Sequence, residues 1–152
     1  MQRVTNCLII DQDHVLLLKK PRHGWYAMPG GKMEPGESVH ESVLREVEEE
    51  TGLVIAKPQL YSVATMLKES APSSTKEWMM FTFKTDQFSG EVVEESPEGQ
   101  LEWIPISKLD QIPTAPSDRL IHQYIINKDQ PLYGSFNLDE KDQLISFRLN
   151  DH

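Results

Sequence analysis

Between Ser38 and Gly52 the chain commits to a helix with more negative charge on one side than an ordinary helix carries. Ser38-Val-His-Glu41 is a capping-box pattern, S-x-x-E, in which the serine and the glutamate side chains each satisfy the other's backbone amide. Gly52, directly after Thr51, suits the left-handed position that closes a helix. The pattern predicts a helix over Ser38–Thr51, with Val43, Leu44 and Val47 as its packing face. At about 100° per residue, Glu46, Glu49 and Glu50 fall within an arc of about 100°. Glu46 then makes like-charge pairs at i,i+3 and i,i+4, each costing ~0.2–0.5 kcal/mol. Acids in the last turn also oppose the helix dipole, by ~0.3–1 kcal/mol each. No lysine lies within the helix, and Arg45 is its one strong base. Left to solvent this is a crowded acidic face. Given a hard divalent cation the same repulsion becomes ligation, since Mg²⁺ prefers oxygen ligands. Spacing alone leaves both readings open.

The whole chain shares the acidity. Its 152 residues hold 24 Asp and Glu against 15 Lys and Arg, a net charge of −9. Binding duplex nucleic acid by phosphate neutralisation needs a basic surface, so no duplex partner is expected. A polyphosphate can still be bound where a divalent cation bridges the like charges. The lone cysteine, Cys7, rules out a disulfide-built scaffold, and no Cys/His group has zinc spacing. The N-terminus lacks an apolar signal-peptide segment, and no apolar run approaches the ~18 residues of a membrane span. The expectation is a cytoplasmic protein with no membrane and no protein partner implied.

Along the chain, Val4–Ile10 and Val15–Lys20 read as strands joined by a turn over Asp11–His14. A Gly- and Pro-dense loop runs from Pro21 to Gly36 ahead of the acidic helix. Leu60–Leu67, Glu77–Thr85 and Leu101–Ile104 read as strands, with polar loops over Ala71–Ser74 and Ser89–Gly99. Ser107–Gln111 reads as a short helical turn and Asp118–Asn127 as a second helix, on the spacing of Leu120, Ile121, Tyr124 and Ile125. Leu132–Leu138 and Leu144–Leu149 read as a closing hairpin. With no repeat and no long linker, the expectation is one domain over residues 1–152. Its order of elements points to an α+β or α/β fold with one mixed sheet.

The segment GKMEPGESVHESVLREVEEETGL matches G-x5-E-x7-R-E-U-x-E-E-x-G-U at Gly31, Glu37, Arg45, Glu46, Val47, Glu49, Glu50, Gly52 and Leu53. It resembles the Nudix box of the Nudix (MutT-like) hydrolases. Trp25, the Pro29-Gly30-Gly31 run, the Leu101-Glu-Trp-Ile-Pro105 strand and the C-terminal hairpin also sit where that family places them. The resemblance implies an α+β fold, an α/β/α sandwich around a mixed central sheet with an acidic catalytic helix. It also implies hydrolysis of nucleoside diphosphates linked to another moiety, using Mg²⁺ or Mn²⁺. Carried over, Glu46, Glu49 and Glu50 are the metal ligands, Glu37 braces the junction of loop and helix, and Arg45 orients the glutamates. Gly30 and Gly31 let backbone approach the site. Glu49, or Glu98 from the following acidic loop, is the general base. Within that loop Glu98 is preferred to Glu94 and Glu95, for its distance before the Leu101–Pro105 strand. Lys32 is the first candidate for a phosphate contact, ahead of Lys19, Lys20 and Arg22.

The later segments resemble the 8-oxo-dGTP diphosphatases of that family, with two departures. Those enzymes commonly place a stacking tryptophan where Ala115 stands here, and one uses an asparagine where Ala27 stands. Losing a stacking ring removes ~1–3 kcal/mol of base affinity. Trp25, Tyr26 or Trp78 is left to replace it, or to pack in the core. Asp118 either bonds a purine edge or N-caps the second helix. Cys7 is expected to be an inert buried thiol, and His14, His23, His40, His122 and His152 form no visible cluster. The expected reaction is metal-dependent conversion of a nucleoside triphosphate to monophosphate and pyrophosphate. The alternatives are hydrolysis of a diphosphate conjugate, such as ADP-ribose or a nucleotide sugar, and a silent nucleotide-binding module.

Overall fold

The computed structural model describes residues 1–70 and 74–150. Residues 71–73 of one expected loop, and His152, lie outside them. Strands β1 (Gln2–Asp11) and β2 (His14–Lys19) form a hairpin. Its two turn residues, Gln12 and Asp13, have φ of 45° and 66°, as a tight two-residue turn between twisted strands requires. Two short strands, β3 (Tyr26–Ala27) and β4 (Gly30–Lys32), lie inside the Gly/Pro-dense loop, ahead of helix α1 (Val39–Thr51). Then come β5 (Val54–Ala56), β6 (Gln59–Ser70), β7 (Ser74–Thr85), β8 (Gln87–Ser89), β9 (Glu95–Ser96) and β10 (Gly99–Pro105). A 3-10 turn (Ile106–Gln111), helix α2 (Pro116–Lys128) and the hairpin of β11 (Leu132–Leu138) and β12 (Leu144–Asn150) complete the chain.

The main sheet is mixed, in the order β12-β11-β6-β7-β1-β2-β10-β9, with β3 beside β2 and β4 beside β1. β1 runs parallel to β7 and β6 parallel to β11, and the other pairings are antiparallel. β5 and β8 form a separate two-stranded pair. Residues 7–10 of β1 and 15–18 of β2 are unbroken apolar runs because both faces of the sheet are covered there. Cys7, Ile9 and Leu16 face α1 and pack with Val43 and Val47, while Leu8, Val15 and Leu17 face α2 and pack with Ile121, Tyr124 and Ile125. One helix on each side of a mixed sheet is the α+β sandwich that the family resemblance implies.

The acidic helix survives its own charge because of this packing. Val43 and Val47 are fully buried, worth ~1.5–3 kcal/mol each. That exceeds the ~0.2–0.5 kcal/mol cost of each like-charge pair on the other face. The capping box forms as its pattern predicts. Ser38 Oγ accepts from the Glu41 amide at 3.0 Å, and Glu41 Oε1 accepts from the Ser38 amide at 2.8 Å. Gly52 closes the helix at φ 83°, its amide donating to the Glu48 carbonyl at 2.9 Å.

Other elements depart from the sequence expectation. β6 and β7 are longer than predicted, because they pair along their whole length from Gln59 opposite Lys84 to Ser70 opposite Ser74. α2 starts at Pro116, a residue suited to a first helical position since it lacks an amide hydrogen. Its N-cap is Ala115, with no side-chain cap, so Asp118 lies in the first turn and does not cap the helix. Cys7 is buried, and burial pushes its thiol well above the usual range, so it is the inert group expected. Among the described residues no helix is long and apolar enough to cross a membrane.

Candidate active site

Strand β4 and helix α1 meet where glycine leaves room. Gly30 and Gly31 pair with Asn6 and Thr5 of β1. A Cβ on Gly31 would stand 2.6 Å from the Glu46 carboxyl carbon, and one on Gly30 would stand 2.6 Å from Asn6 Cα. The bare backbone therefore lets α1 press its acidic face against the strand. On the neighbouring turn of the helix, Ser42 anchors the contact through its hydroxyl, 2.8 Å from that of the buried Thr5. Gly30→Ala is expected to cost about 3 kcal/mol or more, since the clash is with strand backbone rather than a movable side chain. Urea denaturation compared with wild type checks this, and a loss below 1 kcal/mol would mean the strand can yield.

The three glutamates of the predicted arc do not share one environment. Glu50 is buried, 7% exposed, and accepts from the Gly30 amide at 3.3 Å. Its carboxyl is pushed up to about 7, mainly by burial, with the nearby charges of Glu46 and Glu98 adding to the rise and Lys20 opposing it. Glu46 is largely enclosed beside Gly31, while Glu49 is 60% exposed. Among the described residues no three acidic, His or Cys side chains are already gathered into a group that could hold a metal ion. Arg45 holds Glu49 aside. The donor set nevertheless suits a hard cation. Two enclosed carboxylates face one glycine pair, and a cation between them would offset the burial that raises Glu50.

Arg45 organises this set. Its guanidinium donates to both oxygens of Glu37, Nε to Oε2 at 2.7 Å and Nη2 to Oε1 at 2.9 Å. Nη2 also donates to the Lys32 carbonyl at 3.2 Å, while Nη1 reaches Glu46 at 3.0 Å and Glu49 at 3.3 Å. The Arg45 fork, helped by the Glu34 amide, holds the Glu37 carboxyl down at about 2. Such a fork fixes direction as well as charge, so Glu37 serves as a brace between loop and helix.

Beyond Glu50 the site opens into a hollow of about 450 Å³, lined by Lys20, His23, Trp25, Tyr26, Glu98 and Asp118 among others. Glu98 occupies the turn between β9 and β10, its carboxylate 3.7 Å from the Lys20 ammonium. Trp25 stacks on His23 with ring centres 4.7 Å apart. Asp118 presents a carboxyl pushed up to about 6 by desolvation. The fold thus brings Glu46, Glu50, Glu98, Gly30, Gly31, Trp25 and Asp118 to one side of the molecule. It leaves out two expected contacts. Lys32 is exposed at the end of β4 and does not line the hollow. Trp78 lines a separate depression with Gln2, Lys68, Lys76 and Asp142. Of the bases weighed beside Lys32, Lys20 and Arg22 line the hollow. The pairing of Lys19 with Gln100, which carries the Glu98 turn to that end of β2, cannot be seen along the chain.

This arrangement coincides with what comparison finds. Residues 1–125 match the model of the NUDIX domain family, and the chain belongs to that family. The protein named uncharacterized Nudix hydrolase YvcI of Bacillus subtilis (strain 168) is 45% identical over 150 residues, covering 99% of this chain and 95% of that one. The crystal structure of a mutator MutT protein from Bacillus halodurans superposes with a TM-score of 0.95 at 44% identity, covering 99% of this chain and 98% of that one. The NAD-capped RNA hydrolase NudC of Vibrio vulnificus (strain CMCP6) is 32% identical over 133 residues, 82% of this chain but 48% of that protein. The chain is thus a Nudix hydrolase, a family whose members act on nucleotides and generally use a divalent metal such as Mg²⁺.

Proposed function

We propose that this chain is a Mg²⁺- or Mn²⁺-dependent pyrophosphohydrolase. It would convert a nucleoside triphosphate, with an oxidised purine such as 8-oxo-dGTP as the leading candidate, to monophosphate and pyrophosphate. One observation carries the reading. The buried Glu50 carboxyl lies within electrostatic reach of Glu46, Glu98 and Lys20, and Glu98 and Lys20 line one hollow together with Trp25 and Asp118. The charges suit a phosphate chain, and the Trp25 ring suits a base.

Glu46 and Glu50 would hold the cation, with Glu49 joining once it turns from Arg45. A bound cation would neutralise phosphate oxygens and lower the pKa of a water molecule. The protein's own groups do the rest. Glu98 would take a proton from the attacking water, a role that needs a carboxylate within hydrogen-bond reach of its oxygen. Glu49 is the alternative base on the helix. Lys20 supplies positive charge to the phosphates. Arg45 keeps the glutamates directed. Trp25 offers its face to the base, in place of the tryptophan absent at Ala115. Asp118 offers an acid–base group to the base edge. A nucleotide-pool substrate and a single buried thiol fit a cytoplasmic protein acting as one domain.

The NAD-capped RNA hydrolase among the relatives supports a second reading, cleavage of a diphosphate conjugate by the same groups. Pyrophosphate, phosphate and monophosphate release from a panel separates the two. The panel holds dGTP, 8-oxo-dGTP, the other triphosphates, ADP-ribose, NAD and a nucleotide sugar, each with Mg²⁺ and with EDTA. The expected outcome is pyrophosphate release that EDTA abolishes, fastest from an oxidised purine triphosphate. Turnover of conjugates alone would replace the triphosphate reading. No turnover, with ligand-induced thermal shifts retained, would leave a silent binding module.

A further inference from the structure

Asn6 is a polar residue in an apolar place. It stands on β1 opposite Gly30, between Val4 and Leu8 on the sheet face that α2 covers. It is 7% exposed, and its Oδ1 is buried with no hydrogen-bond partner. The same row of the sheet continues through Thr82 on β7, in register with Asn6, to Ser62 on β6, in register with Thr82. Both are buried, and both hydroxyl oxygens also lack partners. Leu8, Ala64 and Met80 on the same face show that apolar side chains are accommodated there. Orphaned buried acceptors are costly, and native structures keep them where some further group completes them.

The surroundings say which group. Gly30 separates Asn6 from the acidic site, its amide bonded to Glu50 and its bare backbone packed so closely on Asn6 that a Cβ there would stand 2.7 Å from Asn6 Cβ. Val4, Leu8 and Met28 belong to the same packed cluster as Tyr26, which lines the hollow beside Trp25 and Asp118. An amide offers one acceptor and one donor in a plane, and half a turn about χ2 exchanges them. That pattern is complementary to a base edge carrying an N–H beside a carbonyl or ring nitrogen.

We propose that Asn6, beneath Gly30, is a specificity-determining residue that accepts a hydrogen bond from an N–H on the substrate's base. Thr82 and Ser62 extend the polar row behind it. The inference rests on the nucleotide reading above and adds the residue that selects the base.

The test is calorimetric binding of nucleoside monophosphates (AMP, GMP, 8-oxo-dGMP, CMP and UMP) and of ribose 5-phosphate in Mg²⁺, to wild type and Asn6→Leu, alongside melting temperatures. Wild type is expected to prefer one base. Asn6→Leu should weaken that ligand about tenfold or more, leave the others and ribose 5-phosphate within about twofold, and melt no lower than wild type. Equal weakening of every ligand, or no change in the ranking, would make Asn6 structural and overturn the inference alone. Wild-type protein that binds no monophosphate better than ribose 5-phosphate would overturn the nucleotide reading and this inference together. Should Asn6→Leu fail to fold, Asn6→Met, an unbranched apolar side chain that also lacks the acceptor, is measured in its place, and the same ranking is read from it.

Discussion

Glu50→Gln is expected to remove turnover while making the metal-free protein more stable at pH 8. Both effects come from one burial. The Glu50 carboxyl, enclosed against Gly30, is pushed from 4.5 up to about 7, chiefly by desolvation. In the unfolded chain it ionises near 4.5, so between pH 4.5 and 7 the unfolded state holds fewer protons than the native one. The linkage slope is then negative, and wild-type stability falls as pH rises through that window. A shift of this size corresponds to a loss on the order of 3 kcal/mol by pH 8. Glutamine keeps an oxygen for the Gly30 amide and does not ionise, so the variant escapes the loss. It also lacks the charge a divalent cation needs. Outer-shell partners of metals typically cost 10–100-fold when removed, so loss of a ligand should exceed ~100-fold in activity. Thermal melts at pH 5.5 and pH 8, with EDTA and with Mg²⁺, read both arms. Wild type should be less stable at pH 8 in EDTA and regain stability with Mg²⁺, and the variant should do neither. A variant as active as wild type would remove Glu50 from the metal site.

Glu98→Gln should lower kcat by ~10²–10⁴-fold, the usual contribution of a general base. Glu98 lies half exposed in a turn, ion-paired with Lys20. Exposed pairs of this kind contribute ~0–1 kcal/mol, so folding and nucleotide binding should stay near wild type. That separation of kcat from KM and from melting temperature distinguishes a base from a structural residue. Glu49→Gln is the matched comparison for the alternative base, since its side chain is also exposed and is bound to Arg45. A change of only a few-fold in Glu98→Gln, with activity lost in Glu49→Gln, would move the base onto the helix.

The helix and its ends were legible in the sequence because they are local. Ser38, Glu41 and Gly52 act within one or two turns, and the structure places the cap and the stop at those residues. The nine matched positions of the Nudix box were legible for the same reason, and they carried the family with them. The two faces of β1 and β2 were visible as unbroken apolar runs, though not which helix would cover which face. What local pattern could not decide was direction. An arc of about 100° put Glu46, Glu49 and Glu50 together, and docking against β4 then turned Glu46 and Glu50 inward and left Glu49 with Arg45. Asp118 read as a cap because aspartate commonly is one, but Pro116 starts the helix before it.

The sequence by itself determined the α+β class, the capped acidic helix, the family and the charges available to a cation. Each rests on contacts between residues near in the chain, where spacing translates directly into geometry. Only the tertiary structure decided that Lys20 rather than Lys32 meets Glu98, that Trp25 rather than Trp78 lines the hollow, and that Asn6 lies beneath Gly30. Those outcomes depend on strand pairings such as β1 with β7 and β2 with β10, which join segments more than seventy residues apart. Register between distant strands is set by the packing of the whole sheet, and no local periodicity records it.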